Sequence, residues 1–162
     1  MKVYQIAVGP MQNFSYIVED ESTHEAIVID PSWDLAKLTE IINEQNLNPK
    51  YIVNTHWHDD HTRGNEELAK ELSVKIVQHD ASQLKNDLTV SDGDSIKFGC
   101  SELAVYHTPG HSKDGICLVG DGKIFRAILC LWEIVGGLIC REEVLRNFIM
   151  VCLMLLQILV MI

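Results

Sequence analysis

Thr55-His56-Trp57-His58-Asp59-Asp60-His61 is the stretch on which the reading of this chain turns. It sets His56, His58, Asp60 and His61 within six positions, directly after the apolar run Tyr51-Ile52-Val53. A lone loop histidine is ordinarily solvated, and neither a core nor an ordinary surface needs four such groups together. Imidazole nitrogen suits zinc, iron and nickel, while a carboxylate oxygen compensates the charge of a second cation. The cluster therefore points to a metal-dependent enzyme.

Spacing carries the argument further. On a loop leaving a strand, residues i and i+2 can face the same way, so His56 and His58 can grip one ion. Asp60 and His61 then turn toward a neighbouring point. The best further ligand is His111, in Thr108-Pro109-Gly110-His111-Ser112, where Pro-Gly fixes a tight bend. His107 fits a supporting partner or a strand-end surface position equally well. His24 and His79 are expected at the surface, Asp59 in solvent, and Asp121 in a hairpin turn.

Around these motifs, strand-like runs at residues 3–8, 14–18 and 26–29 precede a helix that Asp34 or Ser32 would cap. Its apolar positions Leu35, Leu38, Ile41 and Ile42 recur at helical spacing, and residues 46–49 stop it. A buried strand at 51–54 aims at the histidine cluster. A second helix is expected at 66–72, and strands at 74–77, 95–98, 103–106, 116–119 and 123–125. The last two flank a Gly120-Asp121-Gly122 turn. Such a mixture predicts an α/β (α+β) domain with a mixed sheet.

The 162 residues suffice for one domain with a real core. Thirteen basic against 23 acidic residues give a formal net charge of -10, which argues against nucleic acid or an anionic membrane as partner. A small anionic substrate stays compatible, because a bound metal reverses the local field. Cys100, Cys117, Cys130, Cys140 and Cys152 form no Cys-x-x-Cys pair, so a reduced, cytoplasmic setting is expected. No signal peptide is expected, since no long apolar segment follows Met1 to Ile6. The apolar run at 148–162, broken only by Gln157, falls short of the roughly 20 residues of a spanning helix.

Taken together, Thr-His-Trp-His-Asp-Asp-His, then Gly64-Asn65, then Thr108-Pro109-Gly110-His111 resembles the metallo-β-lactamase superfamily. Within it the chain resembles the glyoxalase II (hydroxyacylglutathione hydrolase) branch and its persulfide dioxygenase relatives. The resemblance covers residues 1–125 and implies an αββα sandwich with metal at the edge of two central sheets. It implies that His56, His58 and His111 hold a first metal and that Asp60 and His61 serve a second. The expected cofactor is Zn2+, as one or two ions, with iron or manganese accepted by the same donors. It further implies a metal-bound hydroxide attacking a small-molecule thioester, with Asp60 both ligand and orienting group for that nucleophile.

The pattern breaks after Phe125. The family continues Thr-Gly-Asp-Thr-Leu-Phe, with an Asp that bridges both metals and a later metal-binding His. Here Arg126-Ala127-Ile128-Leu129 follows, and neither Asp nor His occurs after Asp121. One nucleotide lost in the codon after Phe125 accounts for this. Shifting the frame permits Gly-Asp-Thr-Leu-Phe, and the single codon of Trp132 with the start of Glu133 restores a fixed GGA glycine. Residues 1–125 are thus expected to form the metallo-β-lactamase-like portion. Residues 126–162 are expected to be an aberrant, out-of-frame tail that impairs activity. The alternatives are a mononuclear iron persulfide dioxygenase, holding iron through His56 and His111, and an inactive metal-binding remnant.

Overall fold

The computed structural model describes residues 1–10 and 13–126. The readings made for the tail, including the frame shift, Trp132, three cysteines and the 148–162 run, lie outside the described residues.

Two sheets form the body. The first has six strands in sequential order: β1 (Lys2–Val8), β2 (Asn13–Glu19), β3 (Glu25–Ile29), β4 (Asn48–Val53), β5 (Lys75–His79) and β6 (Leu88–Val90). β1, β2 and β3 pair antiparallel, whereas β3 to β6 run parallel. Helix α1 (Leu35–Glu44) connects β3 to β4. A short α2 (Asp59–Thr62) and α3 (Asn65–Leu72) connect β4 to β5. The second sheet is antiparallel, ordered β10-β9-β8-β7, with β7 (Ser95–Phe98), β8 (Ser101–His107), β9 (Ile116–Gly120) and β10 (Lys123–Arg126).

Strand β3 shows how the sequence builds the layers. Ile27 and Ile29 join Val53, Val77, Phe98, Leu103, Val105 and Leu118 in the core between the sheets. Ala26 and Val28, one pleat away, join Ile52 beneath Leu38 and Ile42 of α1 and Leu68 of α3. A strand covered on both faces reads as an unbroken apolar run. The described layers are helix, sheet, sheet, in keeping with the mixed α/β fold expected.

Some local expectations change. Asp34 precedes α1 in a left-handed conformation (φ 55°) but makes no side-chain cap bond. Pro49, expected to end a helix, lies inside β4. It is tolerated there because the pairing with β3 shifts register between Ala26 and Ile27. The hairpin at Asp121 and Gly122 has positive φ at both positions (49° and 67°), as a tight two-residue turn requires.

At one end the two sheets are stitched through carboxylates. Asp20, just after β2, accepts the Cys100 N–H at 2.8 Å, and Glu25 at the start of β3 accepts the Gly99 N–H at 2.7 Å. Hydrogen bonds from Ser22, Ser101 and Cys100 hold the Asp20 carboxyl far below the usual carboxylate range.

Candidate metal centre

At the opposite end, the carboxyl ends of the parallel strands converge, the usual place for a ligand in such sheets. Asp30 follows β3, and residues 54–58 follow β4. From the second sheet, β8 leads into the loop carrying His111. The connections are closed by backbone bonds, Asp30 N–H to Val53 O at 3.0 Å and Ile116 N–H to Thr55 O at 2.8 Å.

His56, His58 and His111 each offer one ring nitrogen, and these nitrogens lie within 4.8 Å of one another. His56 Nε2 and His58 Nδ1 are 3.1 Å apart. His56 is buried, His58 half-buried and His111 exposed, so the group is open to solvent on one side. The structure thus brings together the three histidines grouped from the sequence.

Asp60 and His61 sit beside them on α2, a short helix where a loop was expected. The ring centroids of His61 and His56 are 4.3 Å apart, and His61 Nε2 is 3.5 Å from Asp60 Oδ2. Asp59 and Asp60 occupy the first turn of α2, where negative charge complements the helix dipole. Asp59 points away as expected, 76% exposed and paired with Arg63.

Asp30 organises the site from below, a residue the sequence reading gave no role in the site. Its carboxylate accepts Thr55 N–H at 2.7 Å, Thr55 Oγ1–H at 2.5 Å and His61 Nδ1–H at 3.0 Å. With Nδ1–H donating to Asp30, the neutral His61 ring carries its lone pair on Nε2. That atom is buried and has no hydrogen-bond partner. The Thr55 hydroxyl, having donated to Asp30, can accept from His56 Nδ1 at 3.3 Å, which leaves the His56 lone pair on Nε2 too. Asn13 Nδ2 donates to Asp60 Oδ2 at 2.8 Å and fixes that carboxylate.

Behind α2 runs a buried amide network. Asn54 Nδ2 donates to the His61 carbonyl at 3.3 Å. Asn65 Nδ2 (2.7 Å) and Gln78 Nε2 (2.9 Å) both donate to Asn54 Oδ1. The only local hint of Asp30 is an acidic residue placed directly after the apolar run 26–29, and its partner lies 31 residues away. Nothing in the local sequence marks Asn13 or Gln78.

The electrostatics suit a cation. Burial, then the charge of His61, pushes His56 down to about 4, so its lone pair is available at neutral pH. Burial also lowers His111. At His61 burial opposes protonation, but the hydrogen bond and charge of Asp30 outweigh it and the pKa is raised. Despite its burial, Asp60 is lowered by Asn13 and His61. Converging imidazole nitrogens, an orphaned buried Nε2 and a neighbouring carboxylate form a donor set that fits a metal ion.

The model of the metallo-beta-lactamase superfamily matches residues 8–124 of this chain. The chain belongs to that superfamily. It is 31% identical over 137 residues to the probable polyketide biosynthesis zinc-dependent hydrolase PksB of Bacillus subtilis, covering 81% of this chain and 60% of that protein. It is 32% identical over 108 residues to a hydroxyacylglutathione hydrolase of Pelagibacter ubique, covering 65% and 45%. It is 36% identical over 108 residues to the mitochondrial persulfide dioxygenase ETHE1 of Homo sapiens, covering 65% and 42%. The crystal structure of ETHE1 from Myxococcus xanthus superposes with a TM-score of 0.73 at 24% identity, covering 78% of this chain and 56% of that one. That likeness speaks to the fold. The chain spans about half the length of the curated relatives it matches.

Proposed function

We propose that this chain derives from a metal-dependent hydrolase of the glyoxalase II type, cleaving a thioester of a small thiol such as a hydroxyacylglutathione. The carrying observation is the convergence of His56, His58 and His111 within 4.8 Å, with Asp60 and His61 alongside. Similarity to hydroxyacylglutathione hydrolases supports the substrate class.

In this reading His56, His58 and His111 hold one ion, and Asp60 Oδ2 with His61 Nε2 face a second position. The metal, zinc in our proposal, with iron or manganese accepted by the same donors, supplies an activated water and a Lewis acid for the acyl carbonyl. Asp30 keeps the Nδ1 proton of His61 in place, so Nε2 stays a donor of electrons. Asn13 holds Asp60 Oδ2 in the position from which it can orient an attacking water. Exposed His111 leaves the approach open to a small molecule, and the net charge of -10 disfavours nucleic acid and anionic membranes. Among the described residues no helix is long and apolar enough to cross a membrane. A cytoplasmic setting is part of the proposal.

The division at Phe125 and the impaired activity of the present chain belong to the same reading. The test is metal analysis with S-lactoylglutathione hydrolysis, comparing this chain with one whose frame is restored after Phe125. We expect bound zinc in both and much faster hydrolysis by the restored chain. Equal rates would reject the impairment, and no hydrolysis by either would reject the thioester. Identity to human persulfide dioxygenase favours a second reading, an iron-dependent oxidation of a persulfide. One iron per restored chain, with oxygen uptake, would establish it.

A further inference from the structure

Outside the site just described, two other histidines meet face to face. His79 ends β5 in the first sheet and His107 ends β8 in the second. Their ring centroids are 3.9 Å apart and the planes differ by 18°. His79, expected at the surface, is only 5% exposed. The burial goes with the stack, which lays the last residue of β8 against the last residue of β5.

Each ring also has a hydrogen-bonding task. The Ala81 N–H donates to His79 Nδ1 at 3.1 Å, which leaves the proton of the neutral ring on Nε2. His107 Nε2 lies 2.8 Å from the Lys113 carbonyl oxygen, an acceptor, so Nε2–H donates. That bond spans the base of the loop whose Thr108 N–H binds Gly115 O at 2.7 Å and whose Gly110 N–H binds Ser112 O at 3.0 Å. His111 lies at the centre of this loop. The ring of His107 therefore ties the start of the loop to Lys113, and His79 backs that ring from the other sheet.

We propose that His79 and His107 are positioning residues for His111, clamping its loop to the end of β5 and so setting the imidazole's reach into the metal centre. The proposal rests on the metal-site reading above. Neutral rings stack, whereas two imidazolium ions at this separation repel. Burial, then His107, holds His79 below the usual histidine range, against the opposing charges of Asp80, Asp114 and Asp92 that face it. The His79 ring therefore stays neutral at neutral pH, so two imidazolium charges do not face each other in the stack.

Four variants of the full chain separate positioning from bulk stability. His107→Ala removes brace and stack, and His107→Gln keeps an amide N–H toward Lys113 O. His79→Ala removes the backing ring, and His79→Phe keeps an aromatic face. Cobalt(II) titration reads affinity, and the visible ligand-field band reads coordination geometry. We expect both alanine variants to lose roughly 10–100-fold in cobalt affinity with an altered band, as when supporting partners of ligands are removed. His107→Gln and His79→Phe should recover most of the affinity. Wild-type affinity and band in His107→Ala, the half-exposed position least able to unfold the chain, would overturn the proposal. Equal losses in all four variants would overturn it too. Amide exchange in the chelator-treated protein decides the loop separately. Protection at Thr108 and Gly110 should fall in the alanine variants and persist in His79→Phe, and unchanged protection would reject the clamp. Should wild type take up no cobalt while the loop amides respond as expected, the metal-site reading fails and the clamp stands.

Discussion

Asp30 Oδ2 lies 3.0 Å from His61 Nδ1, and both side chains are almost wholly buried. The contact joins the end of β3 to α2 across 31 residues of chain and decides which nitrogen of His61 is left for a ligand. It explains why the cluster can be compact without collapsing onto itself, since one ring is held from behind.

Asp30→Asn should therefore damage both stability and metal binding. An amide at this position still accepts one bond but presents an N–H toward donors. We expect a loss of about 2–4 kcal/mol in urea unfolding of the metal-free chain. Zinc affinity should fall roughly 10–100-fold in competition with a chromophoric chelator. Unchanged zinc affinity would show that Asp30 is structural alone.

Zinc should stabilise the chain by mass action. At free zinc one hundred times Kd the gain is about 2.7 kcal/mol, or a rise in Tm of roughly 5–10 °C. A chelator should abolish the rise. His56→Ala, His58→Ala and His111→Ala should each remove most of it, while His24→Ala at an exposed position should leave it intact. A zinc-induced shift that survives all three substitutions would place the ion elsewhere.

The metal-free chain should be most stable near the ordinary histidine pKa of 6.5, because His56 and His61 shift in opposite directions. His56, down at about 4, binds fewer protons folded than unfolded, so its contribution is complete above 6.5 and is lost as pH falls toward 4. The loss is at most about 3 kcal/mol. His61, raised by Asp30, contributes fully below 6.5 and loses that contribution as pH climbs through its folded value. Denaturant midpoints measured across pH in the presence of chelator check this. A stability that keeps rising below about pH 6 would contradict the sign assigned to His56.

Gly64 joins α2 to α3 where the chain passes the loop after β3. A Cβ there would lie 2.7 Å from the Pro31 carbonyl oxygen and 2.6 Å from Leu35 Cδ2, and the Gly64 N–H already bonds Pro31 O at 3.1 Å. Gly64→Ala must push backbone from backbone. We expect a loss of about 1–3 kcal/mol, read by thermal or urea unfolding. A neutral result would mean that the α2–α3 junction yields at no cost.

Periodicity revealed nearly every strand, because each buries an apolar face in one of two cores. It missed β6, whose Leu88 and Thr89 are exposed and carry no such signal. The ligand-like residues were legible from short-range spacing, and His111 from the Pro-Gly bend. Asp30, Asn13 and Gln78 were not, since their meaning depends on partners 31, 47 and 24 residues away. His79 was misjudged for the same reason. A polar strand end looks solvent-bound until the opposing sheet is laid over it.

The sandwich is fastened differently at its two ends. Away from the histidines, Asp20 and Glu25 grip backbone amides, and lowered carboxyl pKa values keep that grip in mild acid. At the histidine end imidazoles borne by both sheets face one another, and His56, held down at about 4, gains charge as the pH falls toward that value. Acidification should then act as a wedge driven from one side only, parting the sheets at the cluster while the far edge stays bound like the spine of a book.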